Sequence, residues 1–133
     1  MRNKITAILT AALLLMPIPA QAMYSDLCFD IAWEEQGFQK MHTTAYMIQG
    51  VTASGIYTHP GICACNTHLG EVAVVYSRDG RYLGTFECID TGITDGLKAG
   101  TVIDVWFETY DECKEWMTVS RGKCYVKWIK GQG

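Results

Sequence analysis

The sequence predicts a mainly β domain, folded as a small closed or partly closed six-stranded barrel with one or two short helices. Six runs rich in β-branched and aromatic residues follow one another from residue 43 onward, as is typical of strands. Glycine-bearing turn signals separate them, among them Arg78-Asp79-Gly80, which predicts a hairpin. In so short a chain, closing the sheet into a barrel is an effective way to remove exposed strand edges.

The predicted elements can be placed in order along the chain. A short amphipathic helix is predicted over 26–36, because Leu27, Ile31 and Ala32 recur at helical spacing. Strands are predicted at 43–48, 61–65, 71–76, 82–90, 102–107 and 123–129. A second helix is predicted over 110–117, since Thr109 and Glu112 have the spacing of a capping box.

The first 22 residues have the pattern of a secretory signal peptide. Arg2 and Lys4 precede an apolar run, and Ala20-Gln21-Ala22 is a typical cleavage site. The run is shorter than the roughly 20 residues a membrane-spanning helix needs, so we expect no stable membrane insertion after cleavage. An uncleaved anchor is the alternative. The predicted organisation is a signal peptide (1–22), an N-terminal helical segment (23–41) and a barrel domain (42–133) of a secreted protein.

All six cysteines follow the predicted leader, which favours disulfide bonds in an oxidising compartment. Cys63 and Cys65 alternate along one strand, so we expect each to bond with a distant partner. Sequence alone does not choose the pairing. The alternative is a metal site, because Cys63-x-Cys65-x-x-His68 has ligand-like spacing, but no second ligand motif follows it.

Composition excludes one class of partner. The formal net charge is −3, and the chain has neither a basic patch nor basic residues interleaved with aromatic ones. Nucleic-acid binding usually requires such features, so we predict no nucleic-acid partner.

One strand contains an unexpected carboxylate. In Thr101-Val102-Ile103-Asp104-Val105-Trp106-Phe107 both faces are apolar except at Asp104. An unpaired carboxylate is costly to bury, so this side chain must accept hydrogen bonds, be neutral or face a cleft. Two interpretations stay open: a structural aspartate that caps backbone amides of the 91–101 loop, or an acid whose pKa is raised by its surroundings.

A set of short motifs in fixed order resembles a known family. The motifs are Thr44-Ala45-Tyr46, Thr52-Ala53-Ser54-Gly55, Gly61-Ile62-Cys63-Ala64, Leu69-Gly70, Asp90-Thr91-Gly92 and Gly100-x-x-Ile103-Asp104-Val105-Trp106-Phe107. Together they resemble the 3D domain, named for three aspartates, and span about residues 43–129. This domain is similar to the catalytic barrel of A-type membrane-bound lytic murein transglycosylases and to cell-wall-associated proteins of Gram-positive bacteria. The resemblance implies a double-psi β-barrel.

The resemblance also implies roles for individual residues. Asp104 is expected to be the catalytic acid/base, and Asp90 is expected to lie beside it and tune or position it. Substrate contacts are expected from Thr44, Tyr46, Thr91 and Gly92. No metal or organic cofactor is expected for this chemistry.

Two departures from the family pattern bear on the site. Asn66 stands where the third family aspartate is expected, which keeps hydrogen-bonding capacity but removes a charge. We group Asn66 with the expected substrate-binding residues. The loop between Asp90 and Asp104 also carries extra residues, which makes Asp95 a reserve candidate for a catalytic or binding role.

The resemblance implies that the protein cleaves peptidoglycan glycan strands at the N-acetylmuramyl glycosidic bond and forms a 1,6-anhydro ring. It further implies a secreted, cell-wall-associated enzyme. Two alternatives remain. One is a non-catalytic glycan-binding module, which the loss of charge at Asn66 favours. The other is a hydrolase using Asp90 and Asp104, whose carboxyl groups would then lie about 5–9 Å apart. The sequence gives no oligomeric state.

Overall fold

The computed structural model describes residues 29–131. The predicted leader and the first residues of the predicted amphipathic helix lie outside this range. Residues 29–35 are helical and form helix α1, in which the rings of Phe29 and Trp33 meet edge to face with centroids 6.0 Å apart. The chain divides into two compact units, with the boundary after Gly37. Among the described helices, none has the length and apolar character needed to cross a membrane.

The second unit contains six strands and two helices. In chain order they are β1 (Gln39–Tyr46), β2 (Ile62–Ala64), β3 (Glu71–Tyr76), β4 (Tyr82–Asp90), α2 (Asp95–Ala99), β5 (Val102–Trp106), α3 (Tyr110–Ser120) and β6 (Lys123–Lys130). The six strands form a closed barrel in the order β1-β5-β2-β4-β3-β6. β1 pairs with β5 and β2 pairs with β4 in parallel, while the other four pairings are antiparallel. The predicted mainly β fold with a six-stranded barrel is confirmed.

The barrel interior is filled by alternate residues of its strands. Ile103 and Val105 of β5 are fully buried, whereas Asp104 between them is only partly buried. Helix α3 closes one side of this core through Trp116, whose ring meets Phe86 edge to face at 5.4 Å. The Trp116 Nε1 donates to Thr43 Oγ1 at 2.9 Å, so the buried indole N–H is satisfied.

Several predicted boundaries differ from the observed ones. β1 begins at Gln39, earlier than the predicted residue 43, because residues 39–42 pair with β6 although their sequence is largely polar. Helix α2 was not predicted; it is a single turn whose Leu97 is buried and which ends at Gly100 in the left-handed conformation, φ 77°. Helix α3 extends to Ser120, and its N-cap is Thr109 as predicted, accepting from the Glu112 amide at 3.2 Å.

The predicted disulfides are not present among the described residues. The five cysteines in this range are free thiols, and Cys28 lies outside it. Four of the five are fully buried in the core, where a thiol packs as a small apolar group. The alternative metal cluster does not form either: within residues 29–131 no group of three potential ligands is positioned to hold a metal ion. Instead, the His68 ring stacks on Trp128 at 4.1 Å and its Nδ1 contacts Glu71 Oε2 at 2.6 Å.

Candidate functional site

Strand register brings the two candidate carboxylates to one place on the barrel. Thr44 of β1 pairs with Asp104 of β5, Asp104 pairs with Ala64 of β2, and Ala64 pairs with Asp90 of β4. Register partners on neighbouring strands point to the same face of a sheet, so the four side chains form one row across four strands. Because Ala64 carries only a methyl group, the row has open space between the two carboxylates.

Three members of this row, Asp90, Ala64 and Asp104, line a cleft with a volume of about 290 Å³. The residue alternation of β5 explains why an aspartate fits in an apolar strand. Ile103 and Val105 point into the core, whereas Asp104 points to the cleft.

Asp104 is held in a setting that favours its protonated form. Its Oδ1 accepts a hydrogen bond from Thr44 Oγ1 at 2.9 Å. Burial, and to a smaller extent the negative charge of Asp90, raise the pKa of Asp104 above its ordinary value of 3.8, while the Thr44 hydrogen bond acts in the opposite direction. The balance of these effects is a carboxyl group that keeps its proton to higher pH than an exposed aspartate.

Asp90 is fixed by three donors. The Tyr46 hydroxyl donates to Oδ2 at 2.9 Å, and the backbone amides of Ala53 and Thr91 donate to Oδ1 at 3.1 and 2.9 Å. Burial and the neighbouring Asp90 raise the pKa of Tyr46 far above its ordinary value, so its hydroxyl remains a donor. Asp90 is therefore a positioned acceptor, and its two oxygens are largely engaged by the protein itself.

Asn66 lies behind the cleft. Its Nδ2 donates to the Gly92 carbonyl at 2.8 Å, and its Oδ1 accepts from the Gly92 amide at 2.9 Å. An amide side chain satisfies both backbone groups at once, which a carboxylate cannot do because it has no donor. Asn66 thus holds the turn after Asp90 in place, and it does not line the cleft.

The cleft has an apolar rim that the sequence did not indicate. We define this rim as Ile48, Val51 and Ile93, whose exposed fractions are 76%, 72% and 87%. All three line the cleft, together with Tyr46, Thr91 and Gly92. The only charged residues among the lining residues described are the two aspartates. The cleft therefore offers apolar and negatively charged surface, which suits a ligand without anionic groups at this position.

Two further residues considered in the sequence analysis, Thr44 and Asp95, lie outside the lining of the cleft. Thr44 contacts Asp104 but does not line the cleft. Asp95 is exposed in the first turn of α2 and also lies outside the lining. Trp106 is buried and donates from Nε1 to the Ile48 carbonyl at 2.9 Å, which fixes one wall of the cleft.

Two functional contributions were missed in the sequence. The Ala53 amide that donates to Asp90 belongs to Thr52-Ala53-Ser54-Gly55. This motif is part of the family resemblance, but the sequence does not indicate its contact with Asp90. The rim residues gave no signal, because isolated aliphatic residues in loops are common.

In comparison with known proteins, no protein-family model, no curated protein and no solved structure matches this chain.

Proposed function

We propose that this protein is an exported lytic transglycosylase that cleaves the N-acetylmuramyl glycosidic bond of peptidoglycan. The observation that supports this most directly is the pairing of a raised-pKa carboxyl, Asp104, with a fixed neighbouring carboxylate, Asp90, in one open cleft. Carboxyl groups with raised pKa values in clefts are common among catalytic acids.

Asp104 acts first as a general acid in this mechanism. Its proton passes to the glycosidic oxygen as the bond from that oxygen to C1 of the muramyl residue breaks, leaving a hydroxyl group on the departing sugar. The positive charge that develops on the muramyl ring is stabilised by the negative charge of Asp90 and by nearby backbone dipoles.

Asp104 then acts as a general base. As a carboxylate it accepts the proton of the muramyl 6-hydroxyl, whose oxygen attacks C1 and closes the 1,6-anhydro ring. The proton given in the first step is recovered in the second, so Asp104 ends in its initial state. No water, metal or organic cofactor takes part in this sequence.

Two hydrogen bonds define the supporting roles. Thr44 orients the Asp104 carboxyl, and Tyr46 orients Asp90. The apolar rim would contact the acetyl methyl groups and the apolar faces of the sugar rings, since it offers no cation to an acidic ligand.

We also propose that the barrel is a double-psi β-barrel. A double-psi β-barrel is compatible with a closed six-stranded barrel that contains two parallel pairs, β1 with β5 and β2 with β4. The N-terminal leader pattern supports export, and the proposed activity implies that the mature protein contacts peptidoglycan glycan strands outside the cell.

The decisive experiment is the digestion of purified peptidoglycan followed by mass spectrometry of the products. Wild-type protein should release anhydro-muropeptides, and Asp104→Asn should release none above background. Asp95→Asn is the matched control, because it removes an exposed carboxylate outside the cleft lining and should retain full activity.

The same experiment separates the alternatives. Products with reducing ends in place of anhydro ends would identify a hydrolase and contradict the transglycosylase mechanism. Retention of the protein on intact peptidoglycan without turnover would identify a non-catalytic wall-binding module. Absence of both binding and turnover would overturn the proposal as a whole.

A further inference from the structure

We propose that Cys63 and Cys88 are an oxidation site, at which a cross-strand disulfide joins β2 to β4 beneath the candidate carboxylate pair. The structure describes both residues as thiols. This bridge does not depend on the proposed glycan cleavage, and its test uses no activity measurement.

Strand register places the two cysteines next to each other. Cys63 and Cys88 are direct partners in the parallel ladder between β2 and β4. Neighbouring strands lie about 4.8 Å apart, within the roughly 4.4–6.8 Å that disulfides span between Cα atoms. The Cys63 and Cys88 side chains are also close enough to interact by hydrogen bonding. Bond formation therefore needs little movement of the backbone.

The other described cysteines are less well placed. Cys65 directly follows β2, and its backbone carbonyl, not its sulfur, accepts a hydrogen bond from the Cys88 thiol at 3.3 Å. Its sulfur contacts Thr67 Oγ1 at 3.7 Å. Cys124 lies on β6, whose neighbours β1 and β3 carry no cysteine, and Cys113 lies on α3. Geometry thus favours one pair.

The oxidation proceeds by thiol–disulfide exchange with a dithiol oxidoreductase or a small-molecule disulfide. One cysteine attacks a sulfur atom of that disulfide as a thiolate, forming a mixed disulfide and releasing one thiol. The second cysteine then attacks the first, forming the Cys63–Cys88 bond and releasing the other thiol. Two cysteine thiols are oxidised and one disulfide is reduced to two thiols, so electrons and protons balance.

The electrostatics of the pair are consistent with this exchange. Hydrogen bonding between the two side chains is the largest cause that lowers the pKa of Cys88 and raises that of Cys63, so Cys88 is the more readily ionised of the two. Both side chains are fully buried, so we expect oxidation to occur while the exported chain folds.

The bridge would act directly on the candidate site. The ladder between β2 and β4 is irregular between Cys63 and Ala64, and Ala64 then pairs with Asp90. A covalent link just before this irregularity fixes the spacing between the two strands that carry Ala64 and Asp90. It also closes the chain between residues 63 and 88, so reduction should lower the Tm by roughly 10 °C.

The test is disulfide mapping of full-length protein exported through an oxidising compartment. The protein is denatured, alkylated without reduction, digested with trypsin and analysed by tandem mass spectrometry. We expect a cross-link between peptides 41–78 and 82–98, with the fragment masses around Ala64 assigning the bond to Cys63. Alkyl label on both Cys63 and Cys88 without prior reduction would overturn the proposal, as would a bond from either one to a different cysteine.

Variants provide a second readout. Cys65→Ala is the matched control and should retain the cross-link between the two peptides. The double variant Cys63→Ala/Cys88→Ala should have a Tm that no longer responds to reductant, whereas the wild-type Tm falls. An identical response of wild type and double variant to reductant would contradict the bridge.

Discussion

At the scale of single residues, the site depends on two aspartate carboxyl groups, Asp90 and Asp104, that have different hydrogen-bond partners. Within residues 29–131, Asp90 accepts three hydrogen bonds, whereas Asp104 accepts one, from Thr44, and is partly buried. Burial, and to a smaller extent the neighbouring charge, raise the pKa of Asp104, so this carboxyl keeps its proton to higher pH than an exposed aspartate. A carboxyl with a raised pKa is suited to the role of a general acid.

Thr44→Val tests this assignment through the pH dependence of activity. Thr44 stabilises the charged form of Asp104, so removing its hydroxyl should raise the pKa of Asp104 further. If protonated Asp104 is the acid, the alkaline limb of the kcat/KM profile should move to higher pH. Thr85→Val is the control, because the Thr85 hydroxyl contacts Tyr82 and neither residue lines the cleft. An unchanged alkaline limb in Thr44→Val would argue against Asp104 as the acid.

Asn66→Asp tests whether residue 66 has a structural role. The substitution removes the donor to the Gly92 carbonyl and places a carboxylate against it, so unfolding free energy should fall by roughly 1–3 kcal/mol at neutral pH. Urea denaturation measures this change. The loss should shrink at pH values low enough to protonate the new carboxyl, since the protonated acid regains a donor. A variant as stable as wild type at neutral pH would contradict the structural role.

At the scale of elements, strand alternation gives consecutive residues of β1 separate tasks. Thr43 is buried and accepts the hydrogen bond of Trp116 from α3, whereas Thr44 is exposed and donates to Asp104. One strand therefore joins helix α3 to the core with one side chain and supports the candidate acid with the next.

Thr43→Val should affect stability and leave the cleft contacts of Asp104 in place. The change keeps the shape of the side chain but leaves the buried indole N–H of Trp116 without an acceptor, so we expect a loss of roughly 1–3 kcal/mol. Urea denaturation again provides the measurement. Thr118→Val is the control on the exposed face of α3, where an effect within about 0.5 kcal/mol is expected. Equal effects of the two variants would show that the Trp116 bond contributes little.

At the scale of the whole molecule, the candidate site has a cost in stability. The pKa of Asp104 is higher in the folded barrel than in the unfolded chain. Folding therefore favours the protonated form of Asp104. The stability that this carboxyl contributes is fully present below the unfolded pKa and is lost as pH rises through the folded pKa. Above the folded pKa the barrel holds a charged carboxylate that would be better solvated after unfolding.

Asp104→Asn should consequently be more thermostable than wild type at neutral pH, while lacking the proposed activity. The difference in Tm should vanish below the ordinary aspartate pKa of 3.8, where both side chains are neutral. Calorimetry across this pH range measures it. A variant that is less stable than wild type at neutral pH would contradict the argument.

The sequence predicted local elements best where their own residues decide them. β3 and β4 have the predicted bounds, because alternating β-branched residues and the Arg78-Asp79-Gly80 turn are local signals. The first residues of β1 were not predicted as a strand, because their strand conformation depends on pairing with β6. Helix α2 was not predicted either, because a helix of a single turn depends on burial of Leu97 for its stability.

By itself the sequence determined the mainly β composition, the approximate positions of the strands and the presence of an aspartate in an apolar strand. Only the tertiary structure decided that Asp104, Ala64 and Asp90 lie side by side and that Asn66 supports the loop from behind. The physical reason is that side-chain pattern is local to each strand, whereas register and barrel closure arise from pairing between segments far apart in the chain. Residues 44, 64, 90 and 104 become neighbours only after β1, β2, β4 and β5 have paired.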